Sequence, residues 1–137
     1  MTIRLIFIIT CFLASSCSGN TDKQQSESSK LLTVLAAEFK QKIDTNKFIL
    51  IDLKTKQEHD KERIPGSILI DFFDNDFEKK IKSLDKNKKY LIYCHGGERS
   101  FLVLRLMEKL GFKEVYELKK GITSWKSTGY EAVREEN

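Results

Sequence analysis

The sequence contains few residues that could bind a metal or form a disulfide. Its 137 residues include three cysteines and two histidines, and Cys94 is the one cysteine that lies beyond residue 17. A single thiol in the body of the chain excludes a disulfide there. One cysteine and two histidines do not make a metal site at ligand spacing. The sequence therefore predicts no disulfide framework and no metal, and we expect no cofactor.

Nucleotide-binding motifs and strong charge of one sign are also lacking. Neither a P-loop nor a dinucleotide-binding glycine motif occurs in the sequence. The 24 basic and 20 acidic residues give a net charge of +4, and the lysines are densest at Lys86, Lys88 and Lys89. A nucleic-acid surface needs a stronger and more focused basic patch. We therefore expect neither a nucleotide nor a nucleic-acid partner.

Long hydrophobic runs are lacking too, but the N-terminus has a short one. Arg4 precedes the apolar stretch 5–13, which is followed by the small residues 14–16. The stretch is too short to span a bilayer, which needs about 20 apolar residues. One positive charge, a short apolar stretch and small residues are typical of a signal peptide. We therefore interpret residues 1–16 as a signal peptide.

The residues after this segment predict a tethered domain. Leu13-Ala14-Ser15-Ser16-Cys17 resembles the lipobox of bacterial lipoproteins, which implies that Cys17 is lipidated and becomes the mature N-terminus. Ordinary secretion with cleavage nearby is the alternative. Residues 18–30 contain no apolar side chain and predict a flexible tether over 17–30, before one domain over 31–137. We expect an exported protein of the periplasm or cell envelope, bound to the membrane through Cys17 if that residue is modified.

From residue 31 on, short apolar runs alternate with helical patterns. The runs 48–51, 68–70 and 90–93 are typical of strands, 115–116 is a weaker strand-like signal, and 68–70 is expected to be a buried strand. Three sets of apolar residues recur at helical spacing. They are Leu35, Phe39 and Ile43; Phe73, Phe77, Ile81 and Leu84; and Leu102, Val103, Leu106, Met107 and Leu110. A capping box at Thr55 and Glu58 predicts a short helix, and Gly111-Phe112 predicts a Schellman helix end. Alternating strands and helices predict an α/β domain with a mainly parallel sheet.

The segment Cys94-His95-Gly96-Gly97-Glu98-Arg99 lies between a predicted strand and a predicted helix. Backbone N–H groups converge at such a junction, and the helix dipole favours negative charge there. The same field favours the thiolate, which is the nucleophilic form of cysteine. A lone cysteine can also be a small buried hydrophobe, but two glycines and an arginine are unusual neighbours for a core residue. We therefore predict cysteine-based catalysis at Cys94.

Residues 31–133 resemble a single rhodanese domain, within which four segments match the family in order. They are Ile51-Asp52-Leu53-Lys54 with Glu58, Arg63-Ile64-Pro65-Gly66-Ser67, Cys94-x-x-Gly97-x-Arg99-Ser100, and Gly111-Phe112 with Leu118 and Gly121-Ile122-x-x-Trp125. The resemblance implies a rhodanese-like fold, with a mainly parallel five-stranded sheet flanked by helices on both faces. It also implies a sulfurtransferase. Cys94 would take sulfur from thiosulfate or another sulfane donor, become a persulfide, and pass that sulfur to cyanide, a thiol or a protein acceptor.

The resemblance assigns the loop residues His95, Gly96, Gly97, Glu98, Arg99 and Ser100 to substrate or anion binding. Arg99 would contact the leaving sulfite or brace the loop, and Ser100 would cap the helix or donate from its hydroxyl. His95 is expected at the pocket rim, with general base as the alternative. The negative charge of Glu98 suggests a preference for donors other than doubly charged thiosulfate.

Several residues outside the loop receive expected roles as well. Asp52, at the end of a strand, is expected to be a supporting hydrogen-bonding group. Trp125 is expected in the core and His59 on the surface. Lys54 and Lys120 replace residues common in the family, and we expect them to alter the pocket rim.

Three other functions remain open. Phosphatases of the Cys-x5-Arg kind share the fold, but here the arginine comes one residue earlier, as Cys94-x4-Arg99. A partner-binding or sulfur-carrying module without turnover would have the same sequence features. A sulfenic-acid sensor is the third alternative, although the body of the chain lacks a second cysteine to resolve the intermediate.

Overall fold

A computed structural model describes residues 28–134 of the chain. In this part of the chain five strands form one sheet in the order β1-β5-β4-β2-β3, and every neighbouring pair is parallel. The predicted parallel five-stranded sheet is therefore confirmed. The strands are β1 (Lys30–Val34), β2 (Ile49–Asp52), β3 (Ile68–Leu69), β4 (Lys89–Tyr93) and β5 (Glu114–Leu118).

Helices cover both faces of this sheet, as predicted. They are α1 (Ala36–Asp44), α2 (Lys56–Lys61), α3 (Phe77–Ser83), α4 (Glu98–Lys109) and α5 (Gly121–Ser127). One core cluster contains Phe77 and Ile81 of α3 together with Met107 of α4. The other contains Phe39 of α1 and Trp125 of α5. Trp125 is thus a core residue, as expected.

Local sequence signals explain where two helices begin and end. At α2, Thr55 accepts from the backbone of Glu58 while the Glu58 side chain accepts from Thr55, which confirms the predicted capping box. At the end of α4, Gly111 N–H donates to Glu108 O at 3.0 Å and Phe112 N–H donates to Met107 O at 3.1 Å. This is the predicted Schellman motif, and Gly111 has the positive φ of 83° that the motif requires.

Four apolar residues were predicted to be more buried than they are. Ile68 is 50% exposed because β3 has two residues and lies at the sheet edge. Phe73 is 69% exposed because α3 begins only at Phe77. Leu35 is 65% exposed in the extended residue before α1. On α4, Leu102 is 60% exposed and Leu104 packs inward in its place.

The predictions for the N-terminal segment fall largely outside the described residues. These are the signal peptide over 1–16, lipidation of Cys17 and the tether as far as residue 27. β1 begins at Lys30, the last residue of the predicted tether. No helix found between residues 28 and 134 has the length and apolarity needed to cross a membrane.

Candidate active site

Cys94 follows β4 directly and is fully buried. Its Sγ accepts a hydrogen bond from the backbone N–H of Gly97 at 3.1 Å. Gly97 is the N-cap of the 12-residue helix α4 and has a φ of 106°. The sulfur therefore lies at the N-terminus of a helix, where an N–H donor and the helix dipole both favour negative charge.

Close approach of α5 holds the loop in place. Ile122 N–H donates to Cys94 O at 2.9 Å, and Thr123 Oγ1 donates to His95 O at 3.1 Å. A Cβ at Gly121 would lie 2.3 Å from Cys94 O, and one at Gly97 would lie 2.9 Å from the backbone nitrogen of Lys120. Both positions therefore require glycine. Lys120 contributes its backbone to this contact and has a φ of 61°.

Arg99 forms a bidentate ion pair with Glu58. Nη1 donates to Oε2 and Nη2 donates to Oε1, both at 2.8 Å. Hydrogen bonding to Arg99 lowers the pKa of Glu58 to about 2. The pair in turn raises the pKa of Arg99, with the neighbouring Cys94 as a smaller cause. The guanidinium also lies 5.7 Å from the ring centre of Phe73. The bracing role expected for Arg99 therefore has a defined partner, which lies on α2.

Ser100 lies between Cys94 and a buried carboxyl group. Its Oγ is 3.5 Å from Cys94 Sγ, 3.1 Å from Gly97 O and 2.6 Å from Glu117 Oε1. Ser100 does not cap α4, because Gly97 occupies the N-cap and the helix has no side-chain cap bond. The expectation of a cap is therefore wrong. The hydroxyl instead bridges the sulfur and Glu117.

Glu117 is the residue of this site that sequence reasoning missed. It lies within β5 and is 1% exposed, and burial raises the pKa of its carboxyl. The sequence signal was an acidic residue inside the apolar run from Val115 to Leu118. The pairing of β5 with β4 brings this strand beside the one that leads into Cys94.

Asp52, the last residue of β2, is the centre of a second buried polar cluster. Its Oδ2 accepts from Tyr93 OH and lies beside His59 Nδ1, each at 2.8 Å. Its Oδ1 accepts from Lys54 N–H at 2.9 Å. Burial raises the pKa of Tyr93, so its hydroxyl remains a donor. These contacts tie the carboxyl ends of β2 and β4 together, which fits the supporting role predicted for Asp52.

The structure corrects the expectations for His59 and Lys54. The His59 side chain is 12% exposed rather than on the surface, because its ring contacts Asp52. Lys54 does not lie at the pocket rim: its side chain is 1% exposed, with Nζ 3.4 Å from Asp52 Oδ2. Lys54 Nζ also donates to the carbonyls of Glu58 and Glu62, at the C-terminal end of α2. The Lys54 ammonium group therefore caps the C-terminal end of α2.

The remaining loop residues lie toward solvent. His95 and Glu98 are exposed, and Gly96 is half-buried. A Cβ at Gly96 would lie 2.6 Å from Glu98 Oε2, so this carboxylate lies against the loop backbone. Within residues 28–134 no group of three or more His, Cys, Asp or Glu is placed to hold a metal ion. The site therefore offers a cysteine sulfur that is contacted by an N–H donor and a hydroxyl group.

Comparisons with known proteins identify one family and several similar proteins. Residues 35–128 match the family described as "Rhodanese-like domain". The "Putative sulfur carrier protein YrkF" of Bacillus subtilis (strain 168) is 35% identical over 88 residues, which cover 64% of this chain and 46% of YrkF. This chain thus spans less than half the length of that relative.

Two further comparisons cover nearly the whole of the matched protein. The "Putative sulfurtransferase YtwF" of the same Bacillus strain is 31% identical over 93 residues, which cover 67% of this chain and 87% of YtwF. The crystal structure of a rhodanese-related protein from Thermoplasma volcanium superposes with a TM-score of 0.66 and 28% identity. It covers 76% of this chain and 98% of that one.

Proposed function

The chain belongs to the rhodanese-like family, and on that premise we propose that it is a sulfurtransferase that carries sulfane sulfur on Cys94. The observation that carries the proposal is the position of Cys94 Sγ at the N-terminus of α4, 3.1 Å from Gly97 N. Like a thiolate, a persulfide anion is stabilised by N–H donors and by the positive end of a helix dipole. The named sulfurtransferase and sulfur-carrier relatives support this activity.

The proposed reaction has two half-reactions. In the first, the Cys94 thiolate attacks the outer sulfur of the donor. With thiosulfate, a new S–S bond to Cys94 forms while the S–S bond of thiosulfate breaks, and sulfite leaves with the bonding electron pair. In the second, a thiolate or cyanide attacks the outer sulfur of the persulfide, and Cys94 leaves as a thiolate. Because the enzyme alternates between two covalent forms, the kinetics are ping-pong.

We also propose that the donor carries less negative charge than thiosulfate. The Glu98 carboxylate lies against Gly96, beside the loop that holds Cys94. A dianion approaching this loop is repelled by Glu98, whereas a singly charged persulfide is repelled less. Glu98→Gln should therefore raise kcat/KM for thiosulfate more than for cysteine persulfide, whose net charge is −1, and salt should reduce the difference. Equal changes for both donors contradict this preference.

A second candidate function is sulfur carriage without steady turnover. The relative named as a sulfur carrier favours it. Such a protein loads sulfur on Cys94 but releases it quickly only to one protein acceptor. Initial-rate kinetics of the full chain distinguish the enzyme from the carrier. The donor concentration is varied, and cyanide or a small thiol is the acceptor. Parallel double-reciprocal lines, absent in Cys94→Ser, support the enzyme; single-turnover loading with negligible steady-state rate supports the carrier.

The proposed location is the periplasm or cell envelope, with Cys17 as the lipid-bearing residue. The support is the sequence of residues 1–17 alone. Metabolic labelling with a palmitate analogue tests it. Label on the wild type but not on Cys17→Ala is expected, and an unlabelled wild type contradicts lipidation.

A further inference from the structure

The buried carboxyl group of Glu117 has no role in the reaction described above. Glu117 lies between Thr33 of β1 and Ile92 of β4 in the sheet register. Among the described residues it forms no ion pair within 4.0 Å with Lys, Arg or His. Ionised carboxylates are rarely buried without such a partner. Its side chain is instead directed to Ser100.

The hydrogen count around Ser100 shows what Glu117 can supply. The hydroxyl has one hydrogen, and three acceptors surround its oxygen: Glu117 Oε1 at 2.6 Å, Gly97 O at 3.1 Å and Cys94 Sγ at 3.5 Å. If Glu117 were ionised, it would compete with the sulfur for that hydrogen. A protonated Glu117 instead donates its own hydrogen to Ser100 Oγ. Glu117 then no longer competes for the Ser100 hydrogen, and the sulfur competes for it with Gly97 O alone.

We propose that Glu117 is a positioning residue, a neutral carboxylic acid that donates to Ser100 and so directs the Ser100 hydroxyl toward the thiolate and persulfide of Cys94. Only the part of this inference that concerns the persulfide rests on the proposed function. The proton stays on Glu117 throughout, so neither half-reaction changes its balance of atoms or electrons. The effect is one additional hydrogen bond to a charged sulfur.

The surroundings of Glu117 support a neutral form. Burial is the largest cause of its raised pKa, and the charge of Glu98 on α4 acts in the same direction. Hydrogen bonds from Ser100 and from Thr33 on β1 oppose the shift without cancelling it. The other ionisable group facing Ser100 is Cys94 on the loop.

Three variants of the full chain test the proposal, each compared with wild type. Glu117→Gln keeps a neutral donor, since its amide donates to Ser100. Glu117→Leu removes the donor. Glu114→Gln is the matched control, at the other end of β5, where Glu114 pairs with Lys89. The probe is iodoacetamide, and the rate of alkylation is followed against pH on the peptide that contains Cys94.

The expected results separate the variants that keep a neutral donor from the variant that lacks one. Glu117→Gln should alkylate with a pH profile whose midpoint matches that of wild type. Glu117→Leu should move the midpoint upward and slow alkylation at neutral pH by about tenfold, the loss of one hydrogen bond to a charged group. Glu114→Gln should match wild type. A Glu117→Gln midpoint well below that of wild type would overturn the proposal, because it would show that Glu117 carries a negative charge that opposes the thiolate. A wild-type profile in Glu117→Leu overturns it too.

A second comparison keeps the test decisive if Glu117→Leu does not fold. Ser100→Ala alone should move the midpoint upward as Glu117→Leu does, and adding Glu117→Gln should change the profile no further, because Glu117 acts through Ser100. A wild-type profile in Ser100→Ala contradicts the proposal. Alkylation does not require sulfur transfer. The alkylation profiles can be as expected even if neither wild type nor any variant forms a persulfide. In that case the sulfurtransferase proposal fails, and the role of Glu117 at the thiolate stands.

Discussion

Arg99 on α4 and Glu58 on α2 form a bidentate ion pair with both N–O distances at 2.8 Å. The same carboxylate accepts from Thr55 N–H at 2.8 Å and completes the α2 capping box. Glu58 thus links the start of α2 to the start of α4, just after the loop that holds Cys94. Bidentate geometry fixes the guanidinium plane more firmly than a single contact would. The loop is therefore braced by the ion pair to α2 as well as by the backbone contacts of α5.

Acid should weaken the fold through Glu58. Its pKa is lowered from 4.5 to about 2, first by hydrogen bonding to Arg99. A carboxyl group with a folded-state pKa below its unfolded value stabilises the fold above the unfolded pKa, and that stabilisation is lost as pH falls through the folded pKa. Glu58→Gln should therefore cost about 1 kcal/mol at neutral pH, a modest value because the pair is partly exposed.

Urea unfolding followed by Trp125 fluorescence measures this difference. The gap between wild type and Glu58→Gln in free energy of unfolding should be constant above pH 4.5 and shrink toward pH 2. A gap that does not change with pH contradicts the assignment.

Lys54 should contribute much more to stability than an exposed lysine bound to the same residue. Lys54 is 1% exposed and donates to the carbonyl of Glu62, whereas Lys126 is half exposed and lies 2.6 Å from the Glu62 carboxylate. Lys54→Met leaves Asp52 without its cation and should cost about 3 kcal/mol or more. Lys126→Met should cost under about 1 kcal/mol. Similar losses in urea unfolding would contradict this account of Lys54.

Lys120→Gly should stabilise the protein. Lys120 has a φ of 61°, a left-handed conformation that glycine adopts without a steric penalty. The gain should be about 0.5–1 kcal/mol after the higher chain entropy of unfolded glycine is counted. Lys119→Gly is the control: Lys119 has no positive φ, so its replacement should destabilise. A loss of stability in Lys120→Gly would show that its side chain makes a favourable contact that outweighs the backbone strain.

Patterns within a short stretch of sequence predicted most of the fold. The apolar run Tyr90–Tyr93 gave the central strand, and Thr55 with Glu58 gave the start of α2. Gly111 gave the end of α4. Each of these signals lies within one element or turn, so local physical rules apply to it.

The buried polar residues could not be placed in the same way. Lys54, His59 and Glu117 have polar side chains that usually face solvent. Lys54 is buried and His59 is half-buried because both side chains contact the buried carboxylate of Asp52. Glu117 is buried because β5 lies between β1 and β4. Such strand pairings join residues far apart in the sequence, and no local pattern encodes them. The partner of Arg99, 41 residues away, was missed for the same reason.

Intact mass of the full chain after incubation with thiosulfate or glutathione persulfide tests the central claim most directly. Peptide mapping then locates the adduct among the cysteines. One added sulfur on Cys94, about 32 Da, is expected; cyanide should remove it, and Cys94→Ser should lack it. Absence of this adduct with both donors, in protein whose Cys94 still reacts with iodoacetamide, would contradict sulfur transfer by this loop.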